Sequence, residues 1–376
     1  MMRRLLPVLG VMLLILPAKS EAGLYAPAEP TPFSVDAEGN LKELIYVPVF
    51  KSMLDDRFNG LNPAGVMTLD GRTTFRGDYR KRLADLPATD PLGRSAAQLR
   101  LGMFDDAINL LQPQSRSRNP SYALLMNLAH AHTGRGEFDE AIRTHAAALF
   151  DTEPPAELPG YTTATTPRIV RLEREIYAKR LRQRRNEASR RTDVETQQTP
   201  DLFGTTESPM AWSNAEGKYE PGVLQPLERA KLPKDAVAVV QQLLLWSPED
   251  TPLLWLLAEL YTAEGRFREA EQVFDQLTWG RNFTNRKTLM EHRTAVREAA
   301  AKMPAENDDQ LLPDTATPPP PGDDDAAKWQ ELREELVPVI VVFAGLTLLG
   351  FALFGRSLFR RRRRRNRELE SKSMRS

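Results

Sequence analysis

The stretch Arg135-Gly136-Glu137-Phe138-Asp139-Glu140-Ala141-Ile142 decides the fold of this 376-residue chain, because the chain writes it three times. It stands 34 residues upstream as Leu101-Gly102-Met103-Phe104-Asp105-Asp106-Ala107-Ile108, and it returns as Glu264-Gly265-Arg266-Phe267-Arg268-Glu269-Ala270. Each residue type has a mechanical reason. A glycine ends one helix where the backbone must turn left-handed without a Cβ penalty. The phenylalanine opens the next helix as a plug between the two. The alanine is small because two antiparallel helices approach closest there. Upstream of the turns, Leu125, Leu128, Ala129 and His132 recur at i, i+3, i+4 and i+7, as do Leu254, Leu257, Ala258 and Tyr261, which predicts one apolar helix face in each place.

Glycine, aromatic and alanine held at a 34-residue offset on helical hairpins resemble the tetratricopeptide repeat family. The best repeats span about 122–155 and 251–284. A third, at about 88–121, keeps only its second half, since Pro91 and Arg94 stand where the family has bulky apolar residues. A fourth is fainter: Asp235-Ala236 lies 34 before Glu269-Ala270, and Val237, Val240, Leu243 and Leu244 make an apolar second helix. Its first helix is expected at Pro167–Arg191, with 192–233 as an inserted loop. Arg286–Lys302 reads as a closing amphipathic helix that covers the last apolar edge, with Leu289, Ala295, Val296 and Ala299 inward. The fold class expected is all-α, a helical-hairpin solenoid with an irregular N-terminal region over 23–87 and one transmembrane helix.

The resemblance implies a protein or peptide partner held along the inner face of the first helices. Opposite the packing positions that face carries Ala123, Met126, Asn127, His130 and Thr133 in one repeat, and Trp255, Leu256, Glu259 and Thr262 in another. Met, Trp and Leu suit an adaptable peptide-binding surface, with Trp255 as its main anchor or else as a core residue. The lysines and arginines with which one subfamily clamps a peptide carboxylate are missing from these positions.

Two further segments predict topology. Arg3-Arg4, an apolar run Leu5–Leu16 and small residues at Ser20 and Ala22 fit a signal peptide over 1–22 cut after Ala22. Leu336 to Gly355 is uncharged and about 30 Å long as a helix, the thickness of a bilayer core. The unbroken run Arg360, Arg361, Arg362, Arg363, Arg364 and Arg365 follows it, and Asp323-Asp324-Asp325 precedes it across an acidic, proline-rich linker over 303–335. Basic charge stays cytoplasmic, so the C-terminal tail is expected inside, anchored to headgroups, and the rest outside. Gly345, Gly350 and Gly355 are spaced by five, so no close-packed dimer face is expected and no oligomeric state is assigned.

The formal net charge is zero, but 1–22 carries +2 and 356–376 carries +8, which leaves −10 between them. With no cysteine, disulfides and thiolate chemistry are excluded, and four histidines leave little for a metal centre. His130 and His132 are two apart on a helix and diverge; Asp105-Asp106 and Asp139-Glu140 sit where a helix N-terminus favours acids. No phosphate loop, HExxH or GxSxG occurs. No cofactor and no metal are expected. Arg168–Arg191 holds ten basic residues and reads either as a dock for an acidic partner or as a surface helix balancing an acidic ectodomain, with no nucleic acid as partner. The function expected is a membrane-anchored interaction scaffold rather than an enzyme. An assembly or secretion factor handling unfolded substrates, and an enzyme with its site in 23–87, remain as alternatives.

Overall fold

Apolar runs broken by turns form one helix after another in the computed structural model, which describes residues 24–61, 75–189, 200–205, 207–281 and 285–304. In chain order these are α1 (Lys51–Leu61), α2 (Phe75–Asp85), α3 (Pro91–Arg100), α4 (Phe104–Ser115), α5 (Tyr122–Arg135) and α6 (Phe138–Phe150). Next come α7 (Thr166–Leu172), a π-helical turn (Glu173–Tyr177) and α8 (Ala178–Ser189). The short α9 (Pro226–Arg229) precedes α10 (Ala236–Trp246), α11 (Thr251–Ala263), α12 (Phe267–Gly280) and α13 (Arg286–Ala301). Among the described residues there is no strand, only an isolated bridge between Val35 and Leu41. The described residues up to Met303 belong to one compact unit.

The starts of α3, α5 and α11 follow from side chains that accept a free N–H group, a contact that contributes about 1 kcal/mol each. Asp90 accepts from the Gly93 N–H at 2.8 Å, and Ser121 and Asp250 accept from Leu124 and Leu253 at 3.3 Å. Pro91 and Pro252 then sit in the first turn, where no N–H is missed. Gly136 and Gly265 turn left-handed, at φ +81° and +76°, as the repeated octet requires. Ala107, Ala141 and Ala270 are all fully buried in their hairpins. Helix α3 packs on α4, α4 on α5, α5 on α6, α10 on α11, α11 on α12 and α12 on α13. Leu289 and Val296 of α13 are buried, Ala295 and Ala299 are half-buried, and Arg293 joins the inner side through a 2.5 Å bond to Asp275.

The basic segment lies against α6 through α8 and is riveted to its neighbours by arginine. Arg168 grips Asp235, at the start of α10, at 2.7 and 2.8 Å. Fully buried Arg180 grips Asp250, at the start of α11, at 2.9 and 2.8 Å and also reaches Glu187. Burial alone would raise the Asp250 carboxyl, but Arg180 and Arg184 outweigh it and hold the group below its ordinary value. These arginines therefore work inside the fold. Among the described arginines of this segment, Arg171, Arg174, Arg182 and Arg185 are exposed.

The N-terminal region departs from the expected irregular cap. It contains α1 and α2, and α1 packs on α10 as well as on α2. Before α1, residues 24–50 cross the array from α5 to α12. Glu29 is buried, taking a bond from Tyr79 and ion pairs from Arg82 and Arg100 at 3.2 and 3.1 Å. The Thr31 N–H donates to Gly160 O at 2.7 Å, and a Cβ on Gly160 would meet Glu29 O at 2.5 Å, so the crossing requires glycine there. Tyr46 ends the path, its hydroxyl 3.1 Å from Gln276 and its ring edge-on to Tyr261.

No described helix is long and apolar enough to cross a membrane. The expected signal peptide, the linker beyond Pro304, the 336–355 segment and Arg360–Arg365 lie outside the described residues.

Candidate functional site

The eight side chains expected to line an accessible groove are all in the interior. Met126 and Asn127 have no exposure; His130, Thr133, Trp255, Leu256, Glu259 and Thr262 retain at most 5%. Ala123 is also buried. The chain itself covers them. The physical reason is that α5 and α11 each have apolar contacts on more than one side, so the polar residues between them meet internal partners.

Over α5 the cover is the segment Leu24-Tyr25-Ala26, each residue at most 2% exposed. The Asn127 carboxamide accepts from the Tyr25 N–H at 3.2 Å and donates to the Tyr25 carbonyl at 3.1 Å. The Ala26 N–H also bonds Leu24 O at 2.6 Å, so Tyr25 is the central residue of a three-residue turn, and the carboxamide reads the outward-facing N–H and C=O of that turn. The Tyr25 ring enters an aromatic box: Tyr122, His130, Tyr161 and Trp246 have ring centroids 6.2, 6.1, 5.5 and 6.3 Å away. Its hydroxyl donates to Glu173, the first residue of the π-helical turn. Burial first, and the Glu173 charge second, push the Tyr25 hydroxyl well above its ordinary value, so it remains a donor.

Glu173 is the electrostatic centre of this cluster. Its other oxygen lies 2.9 Å from His145 Nε2, and His130 Nε2 is 3.6 Å away. Burial alone would raise this carboxyl, but the neighbouring His130 and His145 imidazoles overcome that and bring it down to about 2. His130 Nδ1 pairs with the Tyr177 hydroxyl at 2.9 Å, and that hydroxyl is 3.2 Å from Thr133. Trp246 bonds Tyr161 through its indole N–H at 3.2 Å. Around Tyr25 the site is thus a carboxylate, two imidazoles, three phenols and an indole, built by α5, α6, the π-helical turn, α10 and the connection that carries Tyr161.

A second carboxamide repeats the device. Gln241 of α10 accepts from the Leu44 N–H and donates to the Leu44 carbonyl, both at 2.8 Å. Between the two clamps, Asp235 accepts from the Leu41 N–H at 3.0 Å.

Over α11 the cover is different. The Trp255 indole N–H donates to Glu259 at 2.6 Å, and His292 of α13 meets the same carboxyl oxygen at 2.6 Å. Tyr219, from the connection between α8 and α10, stacks on His292 with ring centroids 3.5 Å apart and planes 13° from parallel. Tyr219 is half-buried, and burial raises its hydroxyl above the ordinary value, with Glu259 adding to the effect.

Sequence reasoning named Asn127, His130 and Thr133 but missed Tyr25, His145, Glu173, Tyr177 and Gln241. One signal was available: Gln241 interrupts the apolar run that opens α10, and a buried carboxamide there calls for a hydrogen-bond partner.

The hairpins of α5–α6 and α10–α12 define a helical-hairpin repeat protein. Tetratricopeptide repeat models match the chain in just these places, at residues 124–159 and 228–278, so these hairpins are tetratricopeptide repeats. Such repeats generally serve as protein-binding modules, and neither match is to a catalytic family. No curated protein matches the chain, and no solved structure does.

Proposed function

We propose that this protein is a membrane-anchored interaction module, whose exported repeat array recruits or organises a protein partner at the outer face of the membrane. The observation that carries the interaction reading is the coincidence of two tetratricopeptide repeat matches with well-formed hairpins. The topology rests on charge. A basic, apolar leader over 1–22 and an uncharged twenty-residue segment followed by Arg360–Arg365 both orient residues 23–335 outward. An interaction scaffold needs neither cofactor nor metal, and the buried carboxylate–imidazole cluster around Glu173 serves cohesion in this reading rather than turnover.

The test is cross-linking in native membranes followed by mass spectrometry, combined with protease added to intact cells or spheroplasts. The expected result is a reproducible protein partner on the array and removal of the array by external protease. Protection of the array, with the tail cleaved instead, would reverse the topology; absence of any cross-linked protein would remove the scaffold role.

A further inference from the structure

The inner face of a repeat array needs a ligand or a cover, and here the cover is held as a ligand is held. Tyr25 is bound through its main chain by Asn127 in both directions, through its ring by four aromatic neighbours and through its hydroxyl by Glu173. All of these recognising groups belong to the array or its connections, 97 or more residues away in the chain (Tyr122 is the nearest). Within the segment itself, the 2.6 Å bond from the Ala26 N–H to Leu24 O is local and the next anchor is Glu29. Recognition of main chain by a carboxamide ignores neighbouring side chains, whereas the Glu173 carboxylate selects a hydroxyl donor at the end of a ring. Together they specify one chemistry: a tight peptide turn with tyrosine at its central position.

We infer that the face formed by Asn127, His130, Glu173 and Trp246 is a tyrosine-selective peptide site, that residues 24–26 fill it in cis, and that a partner's tyrosine-bearing segment enters when they leave. This rests on the interaction-module reading and gives that module a ligand class and an occluded state. The Asp36–Asn40 turn between the two carboxamide clamps is the natural point for release, since Ala37, Glu38 and Gly39 are exposed there.

The experiment uses the whole chain with a protease cleavage sequence inserted between Glu38 and Gly39. After cleavage, a fluorescent peptide of residues 23–36 is added and its capture is followed by anisotropy. The expected result is saturable capture by the cleaved protein and none by the uncleaved one at the same concentration. Replacing the peptide's tyrosine by phenylalanine should weaken capture about tenfold or more, the effect of losing a hydrogen bond to a charged group. Asn127→Ala in the protein should weaken it for both peptides alike. If cleavage unfolds the protein by circular dichroism, the intact Tyr25→Phe chain replaces it, since its weakened segment stays tethered and should admit the tyrosine peptide. No capture by either protein, or capture indifferent to the tyrosine hydroxyl, overturns the inference. Failure of the membrane cross-linking would remove a partner without touching the peptide site, so the two ideas fail separately.

Discussion

At Asn127 the inner face is closed by the main chain of residues 24–26; at Glu259 it is closed by two stacked rings, one from the connection after α8 and one from α13. Both places bury a carboxylate with histidine, yet the first also buries backbone and the second does not. Glu173 has no exposure and two imidazoles against it, while the His292 side chain beside Glu259 keeps 15% exposure. The contrast teaches that a polar residue on a repeat's inner face marks a partner without saying whose chain supplies it. At the first place the partner is a segment that could be exchanged; at the second it is a lid.

The largest effect should come from Glu173. Glu173→Leu strands His130, His145 and the Tyr25 hydroxyl together, and urea unfolding should show a loss of about 3–5 kcal/mol, the usual cost of removing one partner from a buried charged cluster. Glu259→Leu should cost less in the same assay, because His292 can turn toward solvent. Equal costs would break the distinction between core and lid. Acid sharpens it: the Glu173 carboxyl falls from an ordinary 4.5 to about 2 in the folded chain. A lowered folded value means its stabilisation is complete above about pH 4.5 and is lost as pH drops toward 2. Unfolding midpoints across that range should fall less steeply in Glu173→Gln than in the parent.

Next in size, Asn127→Ala leaves the Tyr25 N–H and carbonyl buried without their partner, at about 1–3 kcal/mol. Limited proteolysis should then cut near residues 24–40 first while the α11–α13 hairpins stay intact. Smallest, Tyr219→Ala removes a stacked ring worth about 0.5–1.5 kcal/mol and should leave the protection of Tyr25 unchanged in hydrogen exchange. A loss of protection at Tyr25 in that variant would show that the two covers are coupled.

The hairpins were legible because their signal is local. Gly136, Phe138 and Ala141 specify a turn, a plug and a close approach within six residues, and the same octet recurs unchanged in logic. The occupant of the inner face was not legible, since Tyr25 and Asn127 are 102 residues apart and a carboxamide looks the same whether it awaits a partner or already has one. The basic helix misled for a related reason. Arg168 and Arg180 resemble surface charge until Asp235 and Asp250, which read as ordinary helix starts, are brought against them. Pairing across 70 residues, at a place where the intervening connection has no repeat period, leaves no mark in a helical pattern.

The most direct measurement is amide hydrogen exchange of the folded chain, read at Tyr25 and Leu44. Their N–H groups donate only to side chains, Asn127 and Gln241, so no helix or strand protects them. If the chain covers its own inner face, both amides should exchange as slowly as those of α5 and α10, and Asn127→Ala should release Tyr25 while Leu44 stays protected. Exchange of Tyr25 at the rate of a free peptide in the unaltered protein would contradict the account.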